Sequence, residues 1–219
     1  MFIYFSISFL AYGKNNIWII FSENPTKSNF EPCQEQLLDS IAGEQSGRYK
    51  HFKSPTYLDL TAPFQFESHQ GKVSSKFFIL IANGNAYASE LGFQLYPIFR
   101  NNPEVTEFLN IYLGQLIRRN PTMFLKLLKK HRNNISDISL GGLLGNYGGE
   151  FVDKPEKMLN ETEKRIIALK SVKNENLITL RDRCLRNMTE HKEELLEVIE
   201  WIKAGSPDPE PDFTEDPSI

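Results

Sequence analysis

The sequence predicts an all-α protein of stacked antiparallel helices, on three observations. First, the dipeptides Asn102-Pro103 and Asn120-Pro121 each end one apolar-periodic stretch and open the next. Asn accepts hydrogen bonds from the free N–H groups of a helix start, and Pro at the first helical position gives up only an N–H that has no partner. Pro also disfavours helix in the residue before it, so both dipeptides read as tight corners between helices. Second, apolar residues beyond Asn83 recur at steps of three and four, the spacing of one helix face. Third, residues 176–204 carry a long stripe of Leu177, Leu180, Cys184, Met188, His191, Leu195, Ile199 and Ile202, with Asp182, Arg186, Glu190, Glu193, Glu197 and Glu200 elsewhere.

Taken in order, residues 1–21 form a candidate export signal or an apolar N-terminal segment. Residues 3–10 are apolar apart from Ser6 and Ser8, and Ala11-Tyr12-Gly13 offers small residues at the two positions an export peptidase reads. The expected location is therefore exported or periplasmic, with cytoplasmic as the alternative. Lys14, Asn15 and Asn16 interrupt the apolar character before residues 17–21, which argues against stable membrane insertion.

Residues 22–75 read as loop-rich, with one short helix over 32–42 whose face is Leu37, Leu38 and Ile41 and whose stop is Gly43. Residues 76–204 read as the helical domain. Its first run, 76–82, fits a strand or a buried helix, and the helical neighbours favour helix. Helices over 86–100 and 104–119 precede the two Asn-Pro dipeptides, and Phe124, Leu125, Leu127 and Leu128 belong to a third. A short internal similarity, Leu91-Gly92-Phe93-Gln94-Leu95 against Leu113-Gly114-Gln115-Leu116, fits stacking of like units, an α-solenoid of HEAT or armadillo type, although a repeat protein needs three or more units of fixed period.

The five glycines of residues 139–149 break the helical pattern and mark a tight reversal or a close helix contact. Asp153 is the expected cap of the next helix, which opens near Pro155 and uses Leu159, Ile166, Ile167 and Leu169 as its apolar side. Gly205 ends the last helix, and residues 205–219 form an acidic, Pro-rich tail too polar to fold.

With 219 residues, 40% apolar and 24% charged, the chain has the composition of one globular domain, and its net charge of -3 argues against nucleic-acid binding. The one basic cluster, Arg118, Arg119, Lys126, Lys129, Lys130, His131 and Arg132, sits at a corner and a helix end, where the helix dipole favours cations. Cys33 and Cys184 read as buried thiols, although pairing between them stays open.

No motif for a nucleophile, a phosphate loop or a metal site is present, so no cofactor and no metal is expected. His191 continues an apolar stripe and reads as a packing residue, with Glu190 and Glu193 projecting to other sides of the helix. The expected function is a non-enzymatic protein–protein interaction scaffold whose partner is another protein. A hydrolase or transferase is the first alternative, with Tyr147 and Glu150 of the glycine-rich segment 139–150 as its candidate functional residues. A small-ligand module with an aromatic pocket from Tyr87, Phe93, Tyr96 and Phe99 is the second.

Overall fold

The computed structural model describes residues 16–50, 53–61, 71–99 and 102–205. Residues 1–15 of the candidate export segment (1–21), and the expected tail (205–219) beyond Gly205, lie outside the described residues. Every regular element among the described residues is helical. The apolar block after Lys14 forms α1 (Ile17–Glu23), capped by the Asn16 side chain, which accepts from the N–H groups of Trp18 and Ile19. Trp18 and Phe21 are fully buried, so this block is core.

The helix expected over 32–42 is longer, because α2 spans Lys27–Gln45 and passes through Pro32. Gly43 does not stop it. A Cβ there would lie 2.2 Å from the Tyr49 ring, so the glycine makes room for the returning chain, and Gly47, at φ 73°, follows the helix end instead. Leu38, assigned to the apolar face, is exposed. Next come α3 (Pro55–Thr61) and α4 (Gly71–Ala82), the latter containing the 76–82 run, a helix as its neighbours favoured. A polar chain ties the first three helices together. Trp18 Nε1 donates to Gln36 Oε1 at 2.6 Å, and Gln36 Nε2 donates to Asp59 Oδ2 at 2.7 Å.

The helix expected over 86–100 is broken into α5 (Ala86–Gln94) and α6 (Tyr96–Phe99), with Arg100 outside the described residues. Pro97 is the cause. Its ring would clash with the Phe93 carbonyl and it has no N–H to donate, so the chain turns at Leu95 and restarts with Pro97 in the first turn.

Helices α7 (Pro103–Arg119) and α8 (Pro121–Lys130) follow. Asn102 Oδ1 accepts from Val105 N at 3.1 Å and Asn120 Oδ1 accepts from Met123 N at 3.0 Å, with proline in the first turn of each helix. Helix α7 is the hub, touching α4, α5, α6 and α8 as well as the two later helices α9 (Asp137–Gly145) and α10 (Pro155–Lys170). Its buried side chains Leu109, Leu113, Leu116 and Ile117 join Phe77, Leu91 and Leu125 in one core.

The glycine-rich segment does not interrupt the helical pattern where expected, since Gly141 and Gly142 lie inside α9, which Ser136 caps. Its glycines serve close helix contact. A Cβ on Gly114 of α7 would lie 2.7 Å from the Leu143 carbonyl oxygen of α9, and one on Gly142 would lie 2.7 Å from Asn110 Nδ2. Gly92 plays the same part in α5, where a Cβ would lie 2.8 Å from Ile81 Cδ1. Gly141, by contrast, faces open space. Gly114→Ala is therefore expected to destabilise the protein by about 1 to 3 kcal/mol through overpacking. Gly141→Ala should stabilise it by about 0.5 to 1 kcal/mol through helix propensity alone. Urea denaturation of the two variants checks the opposite signs.

Asp153 does not cap α10. It sits at φ 60°, and Lys154 precedes the helix with no side-chain cap bond. The buried face of α10 also differs from expectation. Ile167 is exposed, while Glu161, Thr162, Arg165, Ile166 and Leu169 are buried. The chain ends its described part in α11 (Ile178–Lys203), antiparallel against α10, with Gly205 at φ 66° just beyond it as expected.

Candidate functional site

After α9 the segment Asn146-Tyr147-Gly148 runs extended into a 3-10 turn (Gly149–Phe151), and Gly148 adopts φ 109°, a conformation that favours glycine. This passage threads Tyr147 between α10 and α11. The Tyr147 hydroxyl bonds to the Thr162 hydroxyl, the Arg165 guanidinium carbon lies 4.4 Å from the ring centroid, and the His191 ring stacks at 6.1 Å. Burial raises the pKa of the phenol above its usual range, outweighing the Thr162 hydrogen bond and the Arg165 charge, so Tyr147 stays protonated at neutral pH. Its ring forms a partition. Two cavities share it as a wall.

The first is a groove of about 530 Å³ between α9, α10, α11 and the exposed side of α7. Phe151, Val152, Met158 and Met188 give it apolar lining, and Glu107, Glu190 and Glu194 give it negative charge. His191 belongs to this groove, which revises its reading as a pure packing residue. Its side chain is 28% exposed, and Glu194, one turn further along the helix, faces it with Oε2 3.4 Å from Nδ1. The described lining residues include no serine, threonine or cysteine.

The second cavity, about 450 Å³, is polar and is bounded by Asn83, Gln115, Arg118, Arg119, Glu150, Glu161 and Arg165. The two sequence candidates, Tyr147 and Glu150, therefore meet at one cavity, together with an ion cluster that the sequence did not flag. Arg165 is 1% exposed. Its guanidinium donates to the Leu144 carbonyl at 2.8 Å and the Asn146 carbonyl at 3.3 Å, while Nε has no hydrogen-bond partner among the described residues and lies 3.8 Å from Glu161 Oε1. Glu161 accepts from Arg118 Nη1 at 3.2 and 2.9 Å. Burial pushes the Arg165 guanidinium down to about 10, against the raising influence of Tyr147 and Glu161. The missed signal was spacing. Glu161 and Arg165 stand four apart on the side of α10 that also carries Ile166 and Leu169.

The other sequence candidates fall elsewhere. Phe93, Tyr96 and Phe99 are buried in the core and Tyr87 packs on Phe30 at 5.1 Å, so the aromatic quartet fills the interior instead of opening a pocket. The basic cluster is dispersed among partners: Arg118 on Glu161, Lys130 and His131 on Glu90, Arg132 on Asp137, and Lys129 on the Asn176 carbonyl. Cys33 and Cys184 are free and buried, and burial pushes both thiols up to about 12, which leaves them inert as nucleophiles. Among the described residues no three carboxylate, imidazole or thiol groups converge as metal ligands, and no described helix is long and apolar enough to cross a membrane. No protein-family model, curated protein or solved structure matches this chain.

Proposed function

We propose that the protein is a non-enzymatic interaction module that takes a basic, aliphatic segment of another protein into the groove between α9, α10 and α11. The observation that carries this reading is the composition of that groove, whose apolar lining from Phe151, Val152, Met158 and Met188 is bordered by Glu107, Glu190 and Glu194 with no lysine or arginine among the described lining residues. Apolar side chains of a partner would displace water from the lining, and Lys or Arg beside them would find the carboxylates. The solenoid-like stacking expected from the sequence belongs to this proposal, because layered helices present such a groove on a rigid scaffold. The hydrolase or transferase reading takes second place. Its candidates, Tyr147 and Glu150, line one cavity, and the His191–Glu194 pair is a further feature that favours it.

Fluorescence polarisation with labelled nine-residue peptides tests the proposal. Peptides that combine Lys or Arg with Leu, Met or Val should bind saturably, and acidic peptides of equal hydropathy should not. The triple variant Glu107→Gln, Glu190→Gln, Glu194→Gln, whose sites are all exposed, should weaken binding at least tenfold without unfolding the chain. Equal binding by the triple variant would refute the assignment.

A further inference from the structure

We infer that the second cavity is a binding site for a small molecule bearing an oxyanion group, phosphate or carboxylate, independent of the peptide groove. The argument begins with charge. Arg118, Arg119 and Arg165 line the cavity, against Glu150 and Glu161, which leaves an excess of one positive charge. Arg118 and Arg165 share a single carboxylate, Glu161, and Arg165 is fully buried with no hydrogen-bond partner for its Nε–H among the described residues. A guanidinium held away from water with so little compensation is an unfinished charge environment. The cavity also has polar walls, Asn83 and Gln115, suited to the remaining oxygens of a bound anion.

Roles divide by exposure. Arg118 and Arg119 sit in the last turn of α7 and are exposed, so they can offer N–H donors directly to the ligand. Arg165 Nε is closed off from water, so it acts on the ligand through its charge rather than by contact. The Gly114 position explains why the guanidinium can lie there at all, since a Cβ would come within 2.7 Å of Arg165 Nη1. A volume of about 450 Å³ admits a molecule larger than a bare ion. Tyr147 separates the site from the groove, with its ring against Arg165 and His191.

Isothermal titration of the full chain with inorganic phosphate and with succinate, each against sodium chloride at equal ionic strength, tests this. At least one of the two should bind saturably, with Arg119→Gln weakening it fivefold or more and Glu150→Gln, which removes an opposing charge from the cavity wall, tightening it. The arm that binds identifies the oxyanion. Because Arg165 variants can fail to fold, the buried arginine is followed in the wild-type protein by its Nε–H resonance in a nitrogen-15 correlation spectrum. That resonance should shift along the same saturation curve. Neither anion binding above the chloride control, binding indifferent to Arg119→Gln, or an Arg165 Nε–H resonance that stays fixed through saturation would each overturn the site. Loss of peptide binding in the triple glutamine variant leaves these readouts unchanged, so the two assignments fail separately.

Discussion

Glu161→Ala is expected to destabilise the protein by about 3 to 5 kcal/mol, although it removes only one small carboxylate from a helix of sixteen residues. The cost lies in what remains. Arg165 is buried to 1% exposure and keeps only the Leu144 and Asn146 carbonyls and the Tyr147 ring once Glu161 is gone. Two carbonyl dipoles do not neutralise a full charge taken out of water. Arg118→Ala removes the other partner of Glu161, yet the Arg118 side chain is 48% exposed and Glu161 keeps Arg165 at 3.8 Å as its counter-charge, so the cost should stay within about 1 kcal/mol. The ratio of the two effects in urea denaturation is the decisive quantity. Comparable losses would show that the cluster behaves as an ordinary surface network. Combining Glu161→Leu with Arg165→Met should recover part of the loss, since the uncompensated charge is then absent, and only part because the Leu144 and Asn146 carbonyls lose their donor.

The same cluster shows which features were legible in the sequence. The helix starts at Asn102-Pro103 and Asn120-Pro121, the α11 stripe and the Gly205 stop each rest on local chemistry, where one residue type suffices. Asn85 uses the same chemistry, accepting from Ala88 N at 3.0 Å to start α5, and could have been read in the same way. Pro97 was equally visible, and its effect on the 86–100 stretch follows from backbone sterics alone. The glycines were harder. Gly43, Gly114 and Gly142 look like punctuation in sequence, but each is fixed by a neighbour distant in sequence or across a turn, namely Tyr49, Arg165 with Leu143, and Asn110.

Site residues were the least legible because their environment is wholly tertiary. Tyr147 and Glu150 were found through loop composition, and both line the arginine cavity. Arg165 was missed because hydrophobic periodicity treats a charged residue as a surface residue, whereas here it occupies a core position of α10. His191 was assigned from its stripe, and the stripe is real, since Cys184, Met188 and Leu195 are buried. What periodicity did not supply was the glycine opposite. A Cβ on Gly145 would lie 3.4 Å from His191 Nε2, so the absence of that side chain helps make the space into which the groove opens.

Glu90→Gln is expected to lower stability by about 2 to 3 kcal/mol at pH 7 and to lose that effect in acid. Glu90 joins α5 to the end of α8, because its Oε1 accepts from Lys130 Nζ, from Gln94 Nε2 and bonds to His131 Nε2, all at 2.7 Å. Burial by itself would raise this carboxyl, but the hydrogen bonds and charges of His131 and Lys130 outweigh it and bring it from 4.5 down to about 2. A carboxyl whose folded pKa lies below its unfolded one binds fewer protons when folded, so stability falls as protons are added. The contribution is complete above about pH 4.5 and disappears as pH drops through about 2. Denaturant midpoints of wild type and Glu90→Gln should therefore converge between those values. Asp39 supplies the control, since Arg48 and Tyr49 hold its carboxyl low by hydrogen bonding, but the Arg48–Asp39 pair stands in solvent, where side chains are 53% and 45% exposed. Asp39→Asn should leave the midpoint nearly unchanged across the same range. A pH-independent gap between wild type and Glu90→Gln would mean that the α5–α8 junction depends on the shape of the side chain and not on its charge.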